Sequence, residues 1–391
     1  MHRSLPTLLA VFAIVPLASA ATPARPLTTA EAKALLRIAS KLSGLPVKRA
    51  VPITSEGVVR FRQRRLAALD RGYPPASQRY DDVLYSVLRV AEGRGLLRNA
   101  LVTSQGQQAF YDPVTRRVYV ARGRESRAAV LQAFVHALQD QRFDLRRLVM
   151  SAGRRDARLA ASAAVNGHAS LVAQLPAERI ASVDRAPRLV RFLELVQGFP
   201  TTVGRRFAAN LRNLGGNTAV FGALRRFPET TEQIFHIDKF LERERAVPIV
   251  LPVTAAGLTL SRDATFGELD VRALLAVFGV SRLDQVGRGW GGGGRSAMYR
   301  NGALEAVVLA LDWDSDPDAR QWDEAVHEYV DEAFDADVPG PPEATPCTAG
   351  ACWNVAGQSV ALARVGVRTA LVLGADLETC ARLARAILGQ P

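Results

Sequence analysis

At the centre of the predicted fold lies the sequence Gln132-Ala133-Phe134-Val135-His136-Ala137-Leu138-Gln139-Asp140-Gln141. Apolar residues recur three and four positions apart in and around it, which predicts one long helix over residues 126–148. A strand–turn–strand pattern over residues 108–121 precedes this helix, and Asp112-Pro113 supplies the turn. An alanine-rich helix is predicted over residues 155–175. Its small side chains favour a close approach to neighbouring helices.

The spacing of Gln132 and His136 is the spacing of a known metal-binding helix. Residues four apart project from one helical face, so two histidines at these positions can bind one zinc ion. In the HExxH pattern a glutamate directly after the first histidine activates the metal-bound water. Only the second histidine position, His136, is kept in this chain.

Several segments resemble one family, the secreted bacterial zinc metallopeptidases of the gluzincin type that carry HExxHALQDQxFDL. The matches follow the family's order over residues 100–390. They are Phe110-Tyr111-Asp112-Pro113, His136-Ala137-Leu138-Gln139-Asp140-Gln141-Arg142-Phe143-Asp144-Leu145, Pro228-Glu229-Thr230-Thr231-Glu232-Gln233-Ile234-Phe235-His236-Ile237-Asp238-Lys239-Phe240, Gly267-Glu268-Leu269, the segment 290–299, and Trp313-Asp314-Ser315 with Asp318-Ala319. The resemblance implies a mainly helical zincin-like core with small β hairpins and a C-terminal mixed α/β subdomain.

The same resemblance implies that the zinc site is dismantled. Gln132 stands at the first histidine position, Ala133 at the catalytic glutamate position, and Asn166 at the third-ligand position. A lone imidazole does not assemble a tetrahedral zinc site, and nothing at position 133 can take a proton from water. We therefore expect no zinc cofactor. The amides of Gln132 and Asn166 are expected to fill the cavity and hydrogen-bond each other.

A replacement metal site would need other histidines near His136. His168 lies two residues beyond Asn166, which turns it about 200° away on a helix. Glu232 and His236 are candidate cleft residues, because the resembled family keeps a histidine at the second of these positions. The simpler interpretation is that the histidines are hydrogen-bonded polar groups in a former cleft.

Two further patterns resemble functional motifs. His327-Glu328-Tyr329-Val330-Asp331 has the form HExxD, but its acidic helical context favours a solvated face. The segment 289–296 is rich in glycine like a P-loop, but a hairpin pattern follows it where a phosphate-binding loop needs a helix. We therefore expect Gly291 to Gly294 to form a flexible turn.

The chain has 391 residues and a formal net charge of +12. Its length allows one large domain or two moderate ones, and its composition is that of a folded globular protein. The arginines are scattered and no basic run is interleaved with aromatic residues, so no nucleic acid is expected as a partner. An anionic component of the cell envelope is an alternative partner.

The first residues have the layout of a secretory signal peptide. A basic start, an apolar core over residues 5–17 and the cleavage pattern Ala18-Ser19-Ala20 follow one another. The apolar core is too short for a bilayer, so we expect export to the periplasm or beyond, without a stable membrane anchor. In an oxidising compartment Cys347 and Cys352 are candidates for a disulfide, whereas Cys380 is expected to be buried.

Together these patterns predict an α+β fold in three parts. Residues 1–20 form the signal peptide, residues 21–255 a mainly helical metallopeptidase-like domain, and residues 256–391 a C-terminal α+β subdomain. Short strands are predicted at residues 247–252 and 358–373, a hairpin across Asn301-Gly302, and a linker at residues 339–342.

The functional prediction is a non-catalytic pseudopeptidase that binds a peptide, a protein or an envelope ligand through the old cleft. One alternative is an active metal-dependent hydrolase that uses a non-standard site around His136 and His236. Another is an envelope protein that binds polyanions through its arginines.

Overall fold

A computed structural model of the chain describes residues 26–103, 108–147, 155–174, 186–302, 304–334, 345–355, 357–374 and 376–390. The predicted signal peptide and the predicted linker at residues 339–342 lie outside these ranges. In chain order the elements are α1 (Thr29–Ser43), β1 (Ile53–Glu56), α2 (Val58–Gly72), α3 (Pro75–Val87), α4 (Leu97–Thr103), β2 (Ala109–Asp112), β3 (Arg117–Ala121), α5 (Arg127–Phe143), α6 (Arg155–Ala173), α7 (Arg188–Gly198), α8 (Val203–Arg225), α9 (Glu232–Phe235), α10 (Ile237–Glu242), β4 (Thr254–Ala255), β5 (Leu258–Thr265), α11 (Glu268–Val277), α12 (Leu283–Arg288), β6 (Trp290–Asn301), β7 (Leu304–Trp313), α13 (Asp316–Phe334), β8 (Thr345–Cys347), β9 (Gly350–Val355), β10 (Gln358–Val365), β11 (Arg368–Gly374) and α14 (Leu377–Ile387).

Helix α5 is the predicted central helix, and it ends at Phe143, before the predicted limit at residue 148. It begins where the Ser126 side chain accepts a hydrogen bond from the backbone N–H of Ala129. It ends at Asp144, which has a positive φ of 52°. Asp140 then accepts a hydrogen bond of 2.7 Å from the backbone N–H of Leu145, which fixes the direction in which the chain leaves the helix.

The small sheet has the strand order β1-β3-β2, with β1 parallel and β2 antiparallel to β3. Alternate residues of a strand point to opposite faces, so the two faces pack against different helices. Val118 and Val120 join the cluster of buried apolar side chains that contains Phe134 of α5. On the other face, Phe110 and Tyr119 pack with Phe61 of α2. The hairpin predicted at residues 108–121 is therefore confirmed, and α2 and α5 enclose it.

Helices α6 and α8 approach each other backbone to backbone. A Cβ atom added at Gly167 would lie 2.1 Å from the carbonyl oxygen of Gly204, so neither position has room for a side chain. Glycine is required here by proximity, as the small residues of the alanine-rich helix suggest. This contact fixes the depth at which α6, and Asn166 on it, sits in the fold.

The large sheet has the order β4-β5-β6-β7-β11-β10-β9-β8, and all neighbouring strands are antiparallel. One face carries Leu309 and Leu371 against α13, and the other carries Val308 and Val372 against α14. Because both faces are covered, the central strands are apolar at nearly every position. Helices and sheets together confirm the α+β class.

The helical part and the large sheet share one hydrophobic cluster. Tyr80 and Phe192 of the helical part pack in the same cluster as Leu309 and Trp353 of the sheet. The large sheet begins at Thr254, close to the predicted boundary after residue 255. The division into two domains stays a prediction, since a common core connects the two sides.

A buried ion pair network crosses the same interface. Arg155 at the start of α6 donates a hydrogen bond to Asp270 of α11. It also donates to the hydroxyl of Tyr85 at 2.8 Å. Its Nε lies 3.6 Å from an oxygen of Asp81. Both aspartates are at most 2% exposed. Arg155 therefore neutralises two buried carboxylates that come from the two sides of the shared core.

Two strand predictions, one for residues 247–252 and one for residues 358–373, are wrong. Residues 247–252 form no strand; Val247 donates one backbone hydrogen bond to Gly292, but Pro248 and Pro252 lack the N–H groups that a ladder needs. Residues 358–373 form two strands, β10 and β11, that turn back on each other at Gly366, where φ is 56°.

The glycine segment is also not a turn. Gly291 to Gly294 belong to β6, where the pairing with β7 is irregular between Trp290 and Gly294. A Cβ atom on Gly294 would lie 2.0 Å from the backbone oxygen of Phe266. The glycines thus allow the chain to pass close to other backbone, which is a packing requirement and not a phosphate-binding one. The hairpin predicted across Asn301-Gly302 is confirmed and is longer than predicted.

The remaining features concern the cysteines and the membrane. Cys347 and Cys352 form a disulfide between β8 and β9, and Cys380 is fully buried in α14. In the part of the chain that the structure describes, no helix is both long enough and apolar enough to span a bilayer.

Candidate functional site

A cavity of about 250 Å³ lies between α2, the strand β2, α5 and α6. We call it the remnant-site cavity, because it contains every position at which the sequence comparison places a lost or retained part of the zinc site. Its lining residues are Arg65, Ala68, Leu69, Ala109, Phe110, Tyr111, Gln132, Ala133, His136 and Asn166. The structure therefore brings Gln132, Ala133, His136 and Asn166 into one cavity.

The two amides of the cavity are held by serines. Gln132 donates to the hydroxyl of Ser170 at 3.1 Å. Asn166 donates to the backbone oxygen of Ser162 at 2.9 Å and to its hydroxyl at 3.0 Å. The expected hydrogen bond between Gln132 and Asn166 is therefore wrong. The physical reason is local: α6 offers each amide a nearer partner, one turn away in the case of Asn166.

A hydrogen-bonded chain of three side chains fixes the state of His136. Gln139 donates through Nε2 to the backbone oxygen of Val165 at 3.0 Å, which identifies the nitrogen end of its amide. The same nitrogen lies 2.9 Å from Nδ1 of His168, and Oε1 lies 3.0 Å from Nδ1 of His136. It follows that His168 accepts and that His136 donates through Nδ1.

This orientation leaves Nε2 of His136 as the unprotonated ring nitrogen. Burial lowers the pKa of His136 to about 4, although Gln139 opposes the shift. Burial, together with the positive charges that His136 and Arg212 would present, lowers the pKa of His168 to about 4. Both rings are therefore neutral at pH 7, and His136 presents a lone pair where a metal ligand would present one.

Zinc does not fit this donor set. Protein zinc sites use histidine nitrogen, cysteine sulfur and carboxylate oxygen, with at least three protein ligands in catalytic sites. The remnant-site cavity offers one imidazole nitrogen and two carboxamides that are engaged with serines, and its lining residues include no carboxylate. Ala133, which the family resemblance aligns with the general base, supplies no proton acceptor.

Asp140 and Gln141, which follow Gln139 in the sequence, hold the backbone around α5 in place. Asp140 accepts a hydrogen bond of 2.8 Å from the hydroxyl of Tyr111, so it connects α5 to β2. Gln141 accepts from the backbone N–H groups of Lys48 and Arg49 at 2.8 and 3.0 Å. These contacts explain the polar residues on a helix that is largely buried: each one satisfies backbone or side-chain groups that would otherwise lack partners.

Arg65 is a cavity residue that no sequence signal marks. Its guanidinium lies 5.8 Å from the ring centre of Phe110, and burial lowers its pKa to about 10. It stays protonated at neutral pH and contributes a positive charge to the cavity lining. On sequence alone, Arg65 is one of several arginines on an amphipathic helix, so only the packing of α2 over β2 identifies it.

His236 and Glu232 do not line the remnant-site cavity. Each belongs to a different group of charged side chains elsewhere in the fold. Nε2 of His236 lies 3.1 Å from an oxygen of Glu268, which also accepts a 2.6 Å hydrogen bond from Arg272. The described residues therefore bring His136 and His168 together through Gln139, but they do not place His236 with them. The replacement metal site formed by His136, His168 and His236 is not assembled.

Glu232 belongs to a carboxylate cluster with Glu244 and Asp314, in which the three oxygens lie within 4.8 Å of one another. Lys239 sits among them and donates to Glu232, to Glu244 at 3.2 Å and to Asp314 at 3.0 Å. Burial raises the pKa of Glu232, and the hydrogen bond and the charge of Lys239 oppose this shift and favour the ionised carboxylate. The lysine ammonium takes the position that a bound cation would take, so this cluster is an internal ion pair network.

The HExxD pattern also serves packing. Glu328 accepts hydrogen bonds from the backbone N–H and the hydroxyl of Ser281, at 2.9 and 3.0 Å to Oε2. The ring of His327 lies edge-on to Trp353, with 4.9 Å between the ring centres. Glu328 therefore anchors the segment that leads into α12, and His327 covers an aromatic side chain of the core.

Residues 257–384 match a family model described as a domain of unknown function, DUF8575. The matched range contains β5 to β11 and excludes α5 and α6, which build the remnant-site cavity. Comparisons with curated proteins and with solved structures find no match. The resemblance to the zinc metallopeptidases stays a prediction from the sequence.

Proposed function

We propose that the protein is a non-catalytic binding protein on a metallopeptidase-like scaffold, and that the remnant-site cavity binds an extended peptide. The observation that carries the proposal is the composition of the cavity. At the positions where a peptidase needs two metal ligands and a base, this chain has Gln132, Asn166 and Ala133, which leave the cavity intact but without those groups.

The cavity offers complementary groups for a peptide. His136 supplies an acceptor through Nε2, and Arg65 supplies positive charge beside the aromatic ring of Phe110. The cavity also borders β2, which is an edge strand of the small sheet. An edge strand has a row of backbone groups that can pair with an added extended chain, and pockets beside it can select side chains.

Binding is tested with an array of short unstructured peptides and two variants of α2. Ala68 lines the cavity, whereas its neighbour Ala67 is exposed, so Ala68→Phe fills the cavity and Ala67→Phe is the matched control. We expect Ala68→Phe to abolish binding of the captured peptides and Ala67→Phe to leave it unchanged. Equal binding by the wild type and both variants contradicts a role for the cavity.

Catalysis is tested separately by elemental analysis and peptide hydrolysis. We expect far less than one zinc per chain and no hydrolysis that a chelator inhibits. Stoichiometric zinc, with activity that His136→Ala removes, would support the active-hydrolase alternative instead. The scaffold itself is tested by the triple change Gln132→His, Ala133→Glu and Asn166→Glu, which should create zinc affinity if the alignment of positions is right.

A further inference from the structure

A second cavity, of about 400 Å³, opens beside the small sheet and differs in character from the first. We call it the arginine cavity. Its lining residues are Thr54, Ser55, Glu56, Gly57, Arg60, Arg64, Arg117, Tyr119 and Arg122. Four guanidinium groups thus line it, together with a single carboxylate, although the corresponding arginines are far apart in the sequence.

The strand register explains how the four arginines meet. Thr54 of β1 pairs with Tyr119 of β3, so alternate residues on these two strands share a face. Arg117 projects from that face of β3, and α2 brings Arg60 and Arg64 across from the end of β1. The parallel pairing of β1 and β3 is non-local, and the sequence pattern gives no sign of it.

The single carboxylate is neutralised within the cavity. Glu56 is 6% exposed and accepts hydrogen bonds from Nε of Arg64 at 2.7 and 2.8 Å. Nε of Arg60 lies 3.5 Å from the same side chain. The guanidinium of Arg64 also lies over the ring of Tyr119, 4.7 Å from its centre, which holds it in place.

The other two arginines bond to uncharged atoms. Arg117 donates through Nη1 to the hydroxyl of Thr54 at 2.8 Å, and Arg122 donates through Nη2 to the backbone oxygen of Ser55 at 3.3 Å. Each guanidinium has five N–H donors, and these contacts use only part of them. The charges of Arg117 and Arg122 are therefore positioned by neutral oxygens and are not compensated by a carboxylate that lines the cavity.

From this arrangement we infer that the arginine cavity binds a compact oxyanion with two or more negative charges, of the phosphate-ester type. Two arginines held by the fold without a carboxylate partner repel each other, and a multivalent anion relieves that repulsion. Guanidinium groups bind phosphate and carboxylate oxygens alike in a bidentate way, so the preference for a phosphate over a single carboxylate comes from its second negative charge and its additional oxygens. The volume leaves room for a phosphate with a small substituent.

The test is calorimetric titration of the full chain with inorganic pyrophosphate at low ionic strength. The double variant Arg117→Gln/Arg122→Gln removes the two uncompensated charges. Its matched control is Arg320→Gln/Arg382→Gln, which changes the net charge equally on α13 and α14, outside the cavity. We expect the cavity variant to weaken binding by roughly tenfold or more, because hydrogen bonds to charged groups are the stronger ones.

A second variant protects against a folding defect, since Arg117 and Arg122 also bond to β1. Arg60 is 71% exposed and makes one long contact, so Arg60→Gln leaves the sheet intact and should still weaken pyrophosphate binding. A lipid source is tested with vesicles that contain phosphatidic acid, whose phosphomonoester headgroup can carry two negative charges, against vesicles of phosphatidylcholine alone. Cavity-dependent vesicle binding identifies a lipid headgroup as the source, and binding of pyrophosphate alone identifies a soluble phosphate compound.

Either result supports the site, provided that the cavity variants lose binding and the control does not. Equal loss in the control double variant attributes binding to the overall positive charge and overturns the proposal. The proposal is also overturned if neither pyrophosphate nor the anionic vesicles show binding that depends on the cavity arginines. Addition of salt should weaken the specific binding as well, because the cavity is open to solvent.

Discussion

The close contact between α6 and α8 predicts that a single added methyl group lowers the stability of the fold. In Gly167→Ala the new Cβ would lie 2.1 Å from the backbone oxygen of Gly204, and 2.8 Å from the backbone nitrogen of Arg205. An ordinary contact begins at 3.4 Å, so the two helices must separate by about 1.3 Å, the difference between 3.4 and 2.1 Å. Overpacking of this kind costs about 1–3 kcal/mol. No flexible side chain can move aside, since the obstacle is backbone.

The matched control is Gly222→Ala on α8, where an added Cβ has nothing within 4 Å. Here alanine should stabilise the helix by up to about 1 kcal/mol, because glycine is the poorer helix former. The assay is urea unfolding of both variants, followed by circular dichroism. Gly167→Ala should be less stable than the wild type and Gly222→Ala at least as stable. Equal stability of the two variants would refute the close-contact reasoning.

Three other perturbations test the buried polar groups and the disulfide. Arg155→Met leaves two buried aspartates without their cation and should lower the unfolding free energy by about 3–5 kcal/mol in urea titrations. Burial lowers the pKa of His168 from 6.5 in the unfolded chain to about 4 in the folded protein. The free energy of unfolding therefore contains the full contribution of neutral His168 above pH 6.5, and this contribution is lost as the pH falls from 6.5 to about 4. His168→Gln should therefore reduce the pH slope of stability by up to about 1.4 kcal/mol per pH unit, seen by comparing urea midpoints within the window. The double change Cys347→Ser/Cys352→Ser opens a short loop with a sequence separation of 5 and should cost about 2 kcal/mol, measured by the same unfolding assay.

The elements predicted correctly are those whose signals are local. The start of α5 near Ser126, the turn at Asp112-Pro113 and the hairpin across Asn301-Gly302 each depend on a few adjacent residues. Such signals survive in a single sequence, because the physical interactions that cause them act over one or two turns.

The features that escaped prediction depend on contacts between distant parts of the chain. The strand β7 pairs with β11 across an intervening helix and three strands, and nothing in either strand specifies this neighbour. The glycines of β6 are required by the backbone of Phe266 and of Trp313, which a sequence pattern cannot place nearby. The position of Lys239 among three carboxylates is similarly a result of packing, and it turns an apparent cation site into an ion pair network.

The family resemblance named the four positions that the cavity brings together, but it did not predict their hydrogen bonds. Helical spacing is enough to place Gln132 and His136 on one face of α5. The partner of each amide depends on how α6 is rotated against α5, and here the rotation brings Ser170 to Gln132 and keeps Asn166 with Ser162. Helical spacing therefore accounts for the pair Gln132 and His136, the family resemblance accounts for Asn166, and the hydrogen bonds depend on how the two helices pack.

The role of Gln139 connects these results to the loss of zinc chemistry. Its amide bonds to the backbone of Val165 and so cannot rotate without breaking that bond, which keeps Nδ1 of His136 protonated and Nε2 open. This is the state that a zinc ligand requires, and it is also the state of a strong neutral acceptor. The fold therefore orients the acceptor nitrogen of His136 independently of Gln132 and Asn166, which bond to serines. Under the proposed function, this oriented acceptor beside the edge strand β2 serves ligand binding without a metal.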